Sequence, residues 1–208
     1  LSGRLPPRRS VINRGLALSA GSAWYSPEGP IEMRLPERLT GLSADDQGAF
    51  ARRNAEKASL EELLDALDLE PLGEWALLHI VHELVQRGRE ILAPIEARLV
   101  ARPTSKAAYG LCEALIELFQ ETPEAQPEII RALIRAGEEA VRTGASTSEA
   151  TTLIVHLADC ARLSGRTLPE ARPLALAFLD RARGEPEPYR FAVSEAAFLA
   201  GDEPGGTG

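Results

Sequence analysis

Apolar residues recur every three to four positions, almost without interruption, from Ser43 to Ala200. An α-helix turns once per 3.6 residues, so this spacing gathers apolar side chains on one side of each helix. The clearest stretch carries Ala108, Leu111, Cys112, Leu115, Ile116 and Phe119 on one face, with Lys106, Glu113, Glu117 and Gln120 on the other. A chain written this way folds by burying helix faces against one another, and an all-α architecture follows. Leu, Ala and Glu are plentiful and favour the same state.

Helix ends are marked by specific residues. Ser43-Ala44-Asp45-Asp46, Ser59-Leu60-Glu61-Glu62 and Ser146-Thr147-Ser148-Glu149 read as helix starts, with a hydroxyl and a carboxylate three residues apart. A helix is expected from Leu72 to Arg87, closed by Gly88, and another from Glu90 to Val100 with Pro94 near its start. Ser105 is expected to cap the next helix, and Pro127 to open the one after it, which ends at Gly144. Gly165 stops the helix that carries Leu153, Ile154 and Leu157. Pro173 predicts either a kink in a helix from Thr167 to Arg183 or a true start at Arg172. A last helix is expected from Tyr189 to Ala200, followed by a disordered tail over 201–208.

Residues 1–42 are different. They hold six Arg and three Glu, include Pro6, Pro7, Pro27, Pro30 and Pro36, and lack helical periodicity. Ser22–Ser26 and Ile31–Leu35 read as a β-hairpin around Pro27-Glu28-Gly29-Pro30, or else as an extended arm. The division expected is therefore a basic arm or hairpin over 1–42, a helical domain over 43–200 and the tail.

The 208 residues, at 22.4 kDa, suit one domain that buries roughly 70% of its unfolded surface. The net charge of −8 argues against nucleic acid as the main partner, since phosphate binding needs a basic footprint, and favours partners with basic surfaces. Cys112 and Cys160 lie inside apolar helical patterns and read as buried free thiols. No apolar run approaches the ~20 residues of a membrane span. Arg8, Arg9 and Arg14 precede a short apolar stretch, Leu16–Ala20, too short for a secretory leader. The default expectation is a cytoplasmic bacterial protein.

The helices read as pairs, with the second member opened by a proline: Pro94-Ile95-Glu96, Pro127-Glu128-Ile129 and Pro173-Leu174-Ala175. These prolines are 33 and then 46 residues apart. From Leu72 to Ala200 the pattern resembles the HEAT-like and armadillo-like helical repeats, whose period is about 40–47 residues. The resemblance implies stacked antiparallel helix pairs, an irregular α-solenoid, and a concave surface that binds other proteins. It implies a class of surface rather than an activity.

Some polar clusters carry candidate chemistry. Trp75, His79, His82 and Gln86 share one helical stripe, with Glu83 at its edge. His79, His82 and Glu83 are candidate ligands for zinc or another transition metal, although the order is not H-E-x-x-H. The ordinary alternative is the polar edge of a packed helix. His156 and Cys160, four residues apart with Asp159 between, are a candidate thiol–imidazole pair or simply a core edge. Trp24 and Tyr25 are candidate partner anchors, as are Trp75, Glu113 and Glu117. No P-loop, dinucleotide fingerprint, nucleophile elbow or C-x-x-C motif is present. The expectation is a non-catalytic interaction protein (an adaptor, assembly subunit or immunity-type inhibitor) that needs no cofactor. The alternative is a metal protein or metal-dependent enzyme using His79, His82 and Glu83. A DNA glycosylase-like reading, also open to HEAT-like folds, requires a basic groove that the charge disfavours.

Overall fold

The computed structural model describes residues 34–201, and every regular element among them is helical. Trp24, Tyr25, most of the expected hairpin and nearly all of the tail lie outside the described residues. The ten α-helices are α1 (Leu35–Leu39), α2 (Ala44–Asn54), α3 (Leu60–Ala66), α4 (Glu74–Gln86), α5 (Leu92–Ala101), α6 (Ala107–Glu121), α7 (Gln126–Arg142), α8 (Thr151–Ser164), α9 (Arg172–Arg183) and α10 (Arg190–Ala200).

A short helix lies inside the segment expected as an arm or hairpin. Leu35 begins α1 rather than ending a strand. Pro36 suits the first turn of a helix, and the Arg34 backbone N–H donates to Glu37 at 3.1 Å. Leu35 and Leu39, one turn apart, are both buried, and α1 packs on α3.

Most of the anticipated helix ends form. Ser43 accepts from the Asp46 N–H and Ser59 from the Glu62 N–H, while Glu62 accepts in return from the Ser59 N–H. Ser146 and Glu149 make the same reciprocal pair, one turn ahead of α8. Gly165 and Gly201 end α8 and α10 in the left-handed conformation, at φ of 63° and 82°, which glycine adopts without strain. Ser105 is the exception, because α6 starts from Lys106 without a side-chain cap.

The proline signals resolve into a repeated joint. A short 3-10 turn precedes each of α5, α7 and α9 and ends on a fully buried residue: Ile91, Ala125 and Ala171. Pro127 and Pro173 then sit in the first turn of α7 and α9, where a missing N–H costs no helical hydrogen bond. Pro173 therefore marks a true start at Arg172 and produces no kink.

Packing follows helix parity. The even-numbered helices make one succession, α2 on α4, α4 on α6, α6 on α8 and α8 on α10. A second succession places α5 on α7 and α7 on α9. The two meet where α3 packs on α4, α7 on α8 and α9 on α10. One continuous core of Leu, Ile, Val and Ala, with Phe119 and Phe178, runs through both. Some crossings need glycine: a Cβ on Gly48 would lie 2.6 Å from the Trp75 Cβ, so α2 approaches α4 closely.

The outer surfaces of the two successions are unlike. On the odd-numbered side, ion pairs tie neighbours together. Arg98 of α5 reaches Glu61 at 2.6 Å and Asp65 at 2.7 Å on α3, and Arg135 of α7 reaches Glu96 of α5 at 2.6 Å. Burial works against the Asp65 charge, but hydrogen bonds from Arg98 and Arg34 outweigh it and hold the carboxyl below its usual range. The even-numbered helices expose most of the large apolar side chains, Trp75 and Leu78 on α4, Tyr109 on α6, Leu163 on α8, and Phe191 and Phe198 on α10, against Leu176 on α9.

Candidate functional site

The expected surface residues Trp75, Glu113 and Glu117 fall on this even-numbered face. On α4 the residues Ala76, Ile80, Val81, Leu84 and Val85 are buried, which turns Trp75 and His82 outward. Trp75 is 64% exposed, far more than a tryptophan that merely anchors its own helix. On α6 the buried set runs through Leu111, Ala114, Leu115 and Leu118, leaving Tyr109, Glu113 and Glu117 one turn apart on the outer side.

The three helices meet electrostatically here. The Glu113 Oε1 lies 3.4 Å from Nε2 of His156 on α8. Hydrogen bonding to His156 holds the Glu113 carboxyl below its ordinary value, and Tyr109 adds to the effect. The Tyr109 ring stands edge-on to His156, with centroids 6.2 Å apart, and the neighbouring Glu113 and Glu74 raise the phenol. Glu117 is pushed up, first by partial burial and then by repulsion from Glu113, while His82 across on α4 pulls the other way. Among the described residues, neither Glu113 nor Glu117 meets a Lys or Arg.

The α8–α10 end of the same face has a similar arrangement that is already filled. Arg162 hydrogen-bonds Glu195, reaches Asp159 at 3.2 Å, and lies 4.8 Å over the Phe198 ring. Aromatic faces and carboxylates together suit a guanidinium. The Tyr109–Glu113–Glu117 cluster offers the same groups with no arginine present among the described residues.

The metal-ligand set His79, His82 and Glu83 is not brought together. Glu83 pairs with Arg87 at 3.1 Å. His79 is half-buried and lines a groove of about 320 Å³ between α2 and α4, with Asp45, Arg52 and Trp75, while His82 is exposed. No group of three His, Cys, Asp or Glu side chains able to hold a metal ion occurs among the described residues. The three histidines do not converge. His82 and His156 flank the α6 carboxylates, and His79 lies apart in the groove.

His156 does not activate Cys160. Its ring turns to Glu113 and Thr152, and Cys160 is fully buried with its thiol pushed up to about 12 by burial. Cys112, also buried, is pushed up further for the same reason. Both are free thiols, and neither is nucleophilic at neutral pH. Tyr109 was not anticipated, although its place one turn before Glu113 puts it on the same polar stripe. The His156–Glu113 pair joins residues 43 positions apart, and no local pattern announces it.

Comparisons with protein-family models, curated proteins and solved structures find no match. No helix among the described residues is long and apolar enough to cross a membrane.

Proposed function

We propose that this chain is a non-catalytic protein-interaction module of the cytoplasm, an adaptor, assembly subunit or immunity-type inhibitor. In this reading the helices form an irregular HEAT-like stack, and the outer side of α4 and α6 docks a partner segment bearing Arg or Lys. The observation that carries the reading is the contrast between two ends of one face. The Phe198–Glu195 end holds Arg162, whereas the Tyr109–Glu113–Glu117 end carries aromatic and carboxylate groups without a described cationic partner beyond histidine.

The odd-numbered side supports the same assignment by difference. Several charges of α3, α5 and α7 are matched in neighbour-to-neighbour pairs, as suits a solvated surface. Exposed aromatics such as Trp75 and Tyr109 supply much of the energy of protein interfaces when a partner covers them. Residues 43–208 hold 17 basic and 28 acidic side chains, a net −11 that steers basic partners toward this part of the chain.

The test is affinity capture at low and at physiological salt, followed by identification of what is retained. The reading predicts a partner with an Arg- or Lys-rich surface whose retention falls at the higher salt and is lost with Trp75→Ala. Capture of nothing, or of a partner indifferent to both changes, contradicts it.

A further inference from the structure

His156 is buried, with 6% of its surface exposed, yet both ring nitrogens face oxygen acceptors. Nδ1 lies 2.6 Å from the Thr152 carbonyl oxygen and Nε2 lies 3.4 Å from Glu113 Oε1. A backbone carbonyl can only accept, so Nδ1 carries a hydrogen. A neutral imidazole has only one, and its Nε2 would then turn a lone pair toward a carboxylate. Only the imidazolium points an N–H at each oxygen, in a hydrogen bond to Thr152 and a longer ion-pair contact to Glu113. Glu113 is therefore held by a group that can be discharged near neutral pH.

We propose that His156 gates the docking face, binding the Glu113 carboxylate when protonated and releasing it to a guanidinium or ammonium of the partner when neutral. This rests on the reading of that face given above. The groups surrounding the ring are few. Burial opposes its charge, and Glu113 of α6, the Thr152 carbonyl and Asp159 of α8 outweigh burial and raise it. Tyr109 of α6 meets it edge-on. Among the described residues, α7 and α10, which also pack on α8, place no charged group against the ring. One proton on His156 and one cation on Glu113 thus compete for the same carboxylate. Competition of this kind is reciprocal: the partner's affinity rises with pH up to about tenfold per unit, levelling off above the histidine's folded pKa, and bound cation lowers that pKa.

The probe is a short polyarginine peptide titrated into the full chain from about pH 6 to about pH 9, across the histidine range. Wild type is expected to bind more tightly as pH rises, and His156→Gln to bind with a clearly shallower pH dependence, since His82 still stands beside Glu117. Equal pH slopes in the two proteins overturn the gate. If Glu117→Gln still weakens the peptide in that case, the docking face stands without it. Failure of the peptide to bind at any pH overturns both. Imidazole nitrogen NMR of the wild type gives a second readout that needs no variant. The His156 titration should lie above the ordinary histidine value in the free chain and move to lower pH on saturation with peptide. A titration that peptide leaves unmoved contradicts the gate.

Discussion

At the residue scale, the His156–Glu113 pair makes stability depend on pH in a defined direction. His156 is raised in the fold, so its contribution is fully present below the unfolded value near 6.5 and is lost as pH rises through the higher folded value. Glu113 is lowered, so its contribution is present above the ordinary carboxylate range and is lost as pH falls through its folded value. The pair therefore stabilises most between those limits. Glu113→Gln should cost about 1 kcal/mol in mildly acidic solution, less than a fully buried charged hydrogen bond because Glu113 is partly solvated. Urea denaturation across pH should show the wild type losing its advantage over the variant as the solution turns alkaline. An advantage independent of pH would mean the carboxylate acts through packing alone. The sequence marked Glu113 and His156 separately, one by its place on an amphipathic helix and one by its neighbour Cys160. It did not pair them, because that contact depends on the register between α6 and α8.

At the element scale, short polar clips decide where helices sit. Gln47 of α2 is 3% exposed and satisfies three backbone groups. Its Nε2 donates to the Leu39 and Pro71 carbonyls at 3.2 and 3.0 Å, and its Oε1 accepts from the Gly73 N–H at 2.7 Å. One side chain thus fixes the end of α1, the approach to α4 and the position of α2. Gln47→Ala leaves all three groups short of partners and should lower stability by about 3 kcal/mol, measured by denaturant unfolding. A loss below about 1 kcal/mol would show that water replaces the clip.

Helix identity was largely legible at this scale, since Ser43, Ser59, Gly165 and Gly201 act through neighbours within a few residues. The Ser105 cap and the start of α1 were not. The first lost to a turn that begins α6 at Lys106, and the second was hidden by prolines and by an apparent alternation ending at Leu35. The role of Gln47 was invisible, because it looks like any polar residue on a weak helix until α1 and the segment before α4 close over it.

At the scale of the whole molecule, parity organises both packing and surface. The even-numbered helices follow one another and expose the aromatics, with Arg162–Glu195 and His156–Glu113 joining α8 to its neighbours, while α3, α5 and α7 are tied by several ion pairs. The sequence predicted helix pairs and an overall acidic charge, but it could not assign the charges to sides. That assignment follows from which helices touch. Two charge-reversed proteins test it most directly: Glu113→Lys with Glu117→Lys on the proposed docking face, and Glu138→Lys on the rim of the α5–α7 groove as a control. The measurement is retention of the basic partner in affinity capture at low salt, with folding of each variant verified by circular dichroism. The first protein is expected to lose the partner and the second to keep it. Equal retention by both, or loss only from the α5–α7 variant, would contradict a docking face on α4 and α6.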